Sequence, residues 1–211
     1  MSASSPSNSA TKRTTENRAI RPEVGISLRI LPTGPGQRTT HADHAGGSTR
    51  RDTRMQGLYY DELQVGRVIE HAIRRTATDM DNTLFSCLTH NPQPLHIDHQ
   101  FAAESEWGKP LVNSIFTLGL MIGISVSDTT LGTTIANLGM TDVKFPRPVF
   151  AGDTIRATTE VVSKRKSASR PDAGIVVFRH RAFNQHGELV AECLRQAFMH
   201  TKPKTKAKQK A

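Results

Sequence analysis

From Ser114 to about residue 127 the chain carries one run of apolar residues at helical spacing. Ile115, Leu118, Ile122 and Val126 recur along it, with Leu120, Met121 and Ile124 on the neighbouring faces. A helix that is apolar nearly all round is predicted to be buried. Gly119 and Gly123, four residues apart, offer places where another backbone approaches closely. A mid-helix glycine costs about 0.5–1 kcal/mol relative to alanine, which close packing offsets; simple tolerance is the other reading. After Gly132 the pattern changes to strands. Residues 133–149 alternate and end at Pro146 and Pro148, Ala151-Gly-Asp is a turn, and 154–166 alternate through Ile155, Ala157, Thr159 and Val161. A polar loop leads to a strand over 174–183, a hairpin turn at Asn184-Gln-His-Gly, and a closing strand over 189–200. One buried helix followed by long antiparallel strands predicts an α+β domain, a sheet wrapped round a central helix. Such a unit is expected to pair with another copy.

Upstream of the helix, residues 67–75 read as a strand. Thr76 is placed to cap a helix over 77–88 that has Met80, Leu84, Phe85 and Leu88 along one face. The stretch Thr89-His-Asn-Pro-Gln-Pro-Leu-His-Ile-Asp98 follows. Pro92 and Pro94 drive Asn91 and Gln93 into extended geometry. Asp98 is placed to cap a short helix over 99–105. This predicts a rigid loop between two helices that displays Asn91, Gln93 and His96. An ordinary polar connector is the alternative on these residues alone.

The charge is unevenly spread. Residues 1–54 carry nine Lys or Arg against four acids, and the last ten residues carry five lysines and no acid. The net +9 therefore belongs to the two ends, leaving the body over 55–201 near −1. A nucleic-acid binder would hold its basic patch on the folded body, with aromatic side chains for stacking, so nucleic-acid binding is not expected. Residues 1–54, rich in Ser, Thr, Gly, Pro and Arg, and the lysine-rich end from 202 are expected to be disordered. Met55 stands just before the first structured stretch and marks an alternative start. Cys87 and Cys193 show neither CxxC spacing nor a disulfide framework, so a reducing, cytoplasmic setting is expected. No apolar run is long enough to span a bilayer.

Three segments carry a family resemblance over roughly residues 57–200. The loop ends Pro94-Leu-His96-Ile-Asp98, the helix entry reads Pro110-Leu-Val-Asn113-Ser114, and a later strand reads Phe145-Pro-Arg-Pro-Val-Phe-Ala-Gly-Asp153. In this order and spacing they resemble the MaoC-like branch of the hotdog-fold enoyl-CoA hydratases. The resemblance implies a single hotdog domain, a lyase adding water to an enoyl-CoA thioester, no cofactor beyond the CoA substrate, no metal, and a homodimer or higher homo-oligomer. The chain departs from the family at Asn91, where the family places an aspartate, and at Gln93, where it places an asparagine. An amide cannot take a proton as a carboxylate does. The longer Asn-Pro-Gln-Pro-Leu-His version resembles the branch acting on itaconyl-CoA or mesaconyl-CoA.

The chemistry implied needs a base for water, an acid for Cα and donors for the enolate oxygen. His96 is the candidate for proton transfer, since an imidazole changes charge near neutral pH; a satisfied structural histidine is the competing reading. Asn91 would hold the water or the thioester carbonyl, or else serve as a left-handed helix-end residue. Ser114 and Asn113, at the helix entry, and Gln93 complete the expected substrate contacts, with Ser114 also readable as an N-cap and Gln93 as a loop brace. Helix N-termini concentrate unpaired N–H groups. His96, Asp98 and His99 lie too close together to suffice as a metal site. A hotdog thioesterase and a non-catalytic acyl-CoA-binding subunit, the latter kept open by Asn91, are the alternatives.

Overall fold

The structure, a computed structural model, describes residues 57–203. The expected disorder of residues 1–54 and the alternative start at Met55 lie outside the described residues, as does the end of the chain from 204. A short 3-10 turn at Tyr60–Glu62 precedes β1 (Val68–Thr76) and α1 (Asp79–Leu88). Two short helices, α2 (Pro94–Ile97) and α3 (His99–Ala103), lead to α4 (Ser114–Thr129). Four strands follow: β2 (Thr134–Lys144), β3 (Thr154–Lys166), β4 (Ala173–Phe183) and β5 (Leu189–His200). All pairings are antiparallel, in the order β1-β3-β4-β5-β2, with α4 against the sheet. This is the α+β arrangement expected from the pattern. No helix among the described residues is long and apolar enough to cross a membrane.

Strands β3, β4 and β5 form because their alternation is long and regular, and each buries every second side chain. Two apolar clusters result. Met121, Ile124, Ile155, Ala157, Ala182 and Cys193 belong to one, and Tyr60, Leu63, Val161, Val176, Phe178 and Met199 to the other. Between them runs a polar row across the sheet: His71 on β1, Thr159 on β3, His180 on β4 and Arg195 on β5, all buried. His71 Nδ1 lies 2.8 Å from Asp128 Oδ2 of α4, and Arg195 Nε donates to Asn137 Oδ1 of β2 at 3.4 Å. The ladder of β1 on β3 shifts register between Glu70 and Arg74, so β1 departs from the strict alternation of its sequence and His71 is its one buried residue.

Three local expectations need correction. Thr76 closes β1 and pairs with Thr154. The cap of α1 is Thr78, whose hydroxyl accepts the Asp81 N–H while the Asp81 carboxylate accepts the Thr78 N–H. Of the expected stripe, Met80, Leu84 and Leu88 face outward while Phe85 packs edge-on against Phe116 of α4 at 5.8 Å between ring centroids; α1 turns Asn82 and Ser86 inward. Helix α4 is covered on one side only. Met121, Ile124 and Ser125 are buried, Ile115 is 55% exposed, and, the helix's own backbone aside, no atom of the described residues lies within 4 Å of a Cβ added at Gly119 or Gly123. At the expected start of the C-terminal tail, the Lys202 N–H donates to Asp61 Oδ2 at 2.8 Å and its Nζ to Glu62 Oε1 at 2.9 Å.

Candidate active site

The stretch from Asn91 to Asp98 folds as the prolines direct. Gln93 is extended (φ −61°, ψ 114°) before Pro94, and the chain then makes the single turn of α2. Asp98 Oδ1 caps α3 by accepting the N–H groups of Gln100 and Phe101, both at 3.0 Å. The left-handed residue at the end of α1 is His90 (φ 53°), not Asn91. Asn91 Oδ1 accepts the Gln93 N–H at 3.1 Å, and the Asn91 N–H donates to Ser86 O, so Asn91 tightens the loop.

His96 hangs from this loop at the head of α4. Its Nδ1 lies 2.9 Å from the Leu111 carbonyl. A carbonyl only accepts, so Nδ1 carries the hydrogen and, in the neutral ring, Nε2 keeps its lone pair. A backbone group thus fixes the ring and leaves Nε2 able to accept a proton.

Asn82 was not singled out in the sequence, and it organises the whole assembly. Its Nδ2 donates to His96 O at 2.7 Å and to Leu111 O at 2.9 Å, while its Oδ1 accepts the Asn113 N–H at 2.8 Å. One side chain, 2% exposed, therefore ties the histidine loop to the residues entering α4. Its partners stand 14 to 31 positions away in sequence, and no local pattern announces such a contact. A buried amide at the inner face of α1 was the available signal.

Asn113 is the N-cap of α4, its Oδ1 accepting the Ile115 N–H at 3.0 Å. Ser114 is the first helical residue, so its N–H belongs to the first-turn donors that have no partner within the helix. A cavity of about 280 Å³ lies here, lined by His96, Ser114, Thr117, Trp107, Arg147 and Val190 among others. Of the expected site residues, His96 and Ser114 line it; Asn91, Gln93 and Asn113 do not. The Phe145–Asp153 segment supplies the opposite wall and is held by its own turn. Asp153 Oδ2 accepts the Phe150 N–H at 2.8 Å, and the Gly152 N–H donates to Ala77 O at 2.8 Å, with Gly152 at φ +97°.

A larger concavity of about 720 Å³ is lined by Asp61, Lys166, Asp172, His200 and Lys202. Its lysines are paired with acids, Lys166 with Asp61 at 3.3 Å and Lys202 with Glu62 at 2.9 Å. No arrangement of base and donor comparable to that of His96 and Ser114 is found there.

Comparison with known proteins gives the family and the fold. The family model for the MaoC like domain matches residues 62–177. The chain is 30% identical to a mesaconyl-CoA hydratase of Cereibacter sphaeroides over 139 residues, covering 66% of this chain and 40% of that protein. It is 31% identical over 127 residues to an (R)-specific enoyl-CoA hydratase of Aeromonas caviae, covering 60% of this chain and 88% of that one. Among solved structures, a monoamine oxidase regulatory protein from Archaeoglobus matches at 36% identity and a TM-score of 0.62, over 70% of this chain and 97% of that chain. A Mycobacterium tuberculosis protein described as a double hotdog fold matches at 26% identity and a TM-score of 0.65, over 73% of this chain and 47% of that chain. The fold is the hotdog fold. The chain spans about two fifths of the length of the mesaconyl-CoA hydratase it matches.

Proposed function

Since the chain belongs to the MaoC-like domain family, we propose that it is an enoyl-CoA hydratase, adding water across the double bond of an enoyl thioester. The observation that carries this reading is the pairing of His96 and Ser114 on one cavity, with His96 Nδ1 committed to the Leu111 carbonyl at 2.9 Å. His96 Nε2 takes a proton from water as the oxygen bonds to Cβ. Electron density moves through Cα to the thioester oxygen, where the Ser114 N–H meets it. The imidazolium then returns a proton to Cα, so one ring serves as base and acid and the proton count closes. Oriented donors of this kind supply a large share of rate enhancement, about 3–4 kcal/mol for one donor in a model protease. Asn91 and Gln93 stiffen the loop that carries the ring, and Asn113 fixes the helix entry.

A cavity of about 280 Å³ falls just under the range of about 300–1,000 Å³ typical of drug-sized ligands. It suits a short acyl group, with the rest of CoA outside. The mesaconyl-CoA hydratase relative favours a branched dicarboxyl acyl chain. The protein works as a homo-oligomer, a reading supported by bare apolar side chains on α1 and α4.

The decisive experiment assays purified protein against short, branched and dicarboxyl enoyl-CoAs, following loss of enoyl absorbance with product analysis. His96→Ala is expected to abolish hydration while the far-UV circular dichroism is retained. Unchanged turnover in that variant would remove the base. Release of free CoA thiol with an unhydrated enoic acid as the product would assign a thioesterase instead.

A further inference from the structure

The cavity beside His96 has one permanently charged wall. Among the described lining residues, Arg147 is the one with a permanent charge; the lining also includes Trp107, Phe145, Val149 and Val190. Pro146 and Pro148 flank it and fix the backbone φ on either side.

The guanidinium has a carboxylate neighbour. Arg147 Nε lies 3.3 Å from Glu188 Oε1. The other oxygen of Glu188 accepts from Asn184 Nδ2 at 2.9 Å, and Asn184 Oδ1 accepts the N–H groups of His186 and Glu188, both at 3.0 Å. The hairpin turn between β4 and β5 thus positions the carboxylate that stands beside the arginine. Glu188 stands on the Nε side as an ion-pair partner, and the two Nη groups form the planar fork that matches a carboxylate through two parallel hydrogen bonds. The side chain is 61% exposed, so a ligand can reach it. An acyl chain ending in a methyl group gains nothing from such a wall; one ending in a carboxylate does.

Resting on the hydratase reading, we propose that Arg147 takes the free carboxylate of a dicarboxyl acyl-CoA while its thioester lies toward His96 and Ser114. Arg147 is then the residue that sets specificity between dicarboxyl and simple acyl chains. It touches the far end of the acyl group and takes no part in proton transfer.

Trp107 is the chain's single tryptophan and lines the same cavity, so its fluorescence reports occupancy without turnover. Succinyl-CoA and butyryl-CoA have the same four-carbon chain, cannot be hydrated, and differ in the terminal carboxylate. The parent protein is expected to bind succinyl-CoA more tightly. Arg147→Gln should weaken succinyl-CoA about ten- to hundred-fold, the size of a charge-assisted hydrogen-bond pair, and leave butyryl-CoA unchanged, which also shows that the variant folds. Arg147→Lys should recover part of the loss. Equal weakening of both ligands would assign Arg147 to the CoA phosphates and overturn the proposal, as would equal affinities in the parent or binding of neither. A protein that shows the preference yet hydrates no enoyl-CoA would sink the hydratase reading and leave the carboxylate site standing.

Discussion

His71 and His180 meet on one hydroxyl: Thr159 Oγ1 lies 2.7 Å from His71 Nε2 and 2.9 Å from His180 Nδ1. At the outer end, Asp128 accepts from His71 Nδ1 at 2.8 Å. With His71 neutral, its Nε2 accepts from Thr159, whose oxygen accepts from His180 Nδ1–H. His180 Nε2 is then a bare lone pair, without a hydrogen-bond partner among the described residues. The chain of donors has a direction set at the surface and ends inside the core, beside Arg195.

This geometry sets a pH dependence of stability. Burial, then the charges of Arg195 and His71, lower the His180 pKa from 6.5 to about 3. The unfolded chain therefore binds a proton below pH 6.5 that the folded chain refuses until about pH 3. The stability linked to His180 is complete above 6.5 and is lost as pH falls between those values. The expected loss is about 1.4 kcal/mol per pH unit well inside that window. Urea unfolding at pH 7.5, 6 and 5 should show this slope in the parent and a shallower one in His180→Gln. Identical slopes would mean that the ring titrates normally in the folded state.

Asn82 is expected to be the most sensitive position around the active site. Asn82→Ala leaves the His96 carbonyl and the Asn113 N–H without the partner that Asn82 supplies, and each unsatisfied group costs about 1–3 kcal/mol; the Leu111 carbonyl keeps the His96 Nδ1–H. Asn82→Asp keeps the acceptor for Asn113 but sets a carboxylate oxygen against two carbonyls. The aspartate variant should therefore be no more stable than the alanine variant by thermal unfolding. An aspartate variant as stable as the parent would show that the two carbonyls do not need the amide.

What the sequence revealed and what it hid divide along one line. The strands were legible because alternation over a dozen residues is a local signal; 154–166 and 189–200 were read to the residue. The proline stretch was legible for the same reason, since each proline acts on its immediate neighbour. The inward face of α1 was not. Periodicity finds an apolar stripe at Met80, Leu84 and Leu88 but says nothing of what covers it, and within this chain it is bare while Asn82 and Ser86 point inward. The roles at the head of α4 were likewise hidden. Asn113 and Ser114 are both good caps, and the register of the helix, fixed by contacts to Asn82 and Val149, decides which one caps and which one lines the cavity.

The orientation of His96 is directly testable. Its bond to the Leu111 carbonyl requires the hydrogen on Nδ1 in the neutral ring. Nitrogen-15 NMR of the imidazoles at a pH where the ring is neutral should show Nδ1 protonated and Nε2 bare. The opposite tautomer would mean that the bond to Leu111 is absent in solution and that Nε2 is not the base.

The outer stripe of α1 makes the last prediction. Met80, Leu84 and Leu88 are 72%, 55% and 73% exposed at successive helical turns, and Ile115 on α4 is 55% exposed. Exposed apolar side chains in such a stripe mark an interaction face, and a second copy of the chain is the partner the proposed homo-oligomer requires. Replacing an exposed side chain on one protomer changes its own stability by no more than about 0.5 kcal/mol. Leu84→Glu should therefore leave folding of the isolated chain intact, yet shift the mass measured by light scattering from oligomer to monomer. Gly119→Ala and Gly123→Ala give an independent readout. In the chain alone each should gain about 0.5–1 kcal/mol from helix propensity, because an added Cβ meets nothing within 4 Å. A parent that is monomeric at high micromolar concentration, with both alanine variants simply more stable, would rule out a second copy on this face.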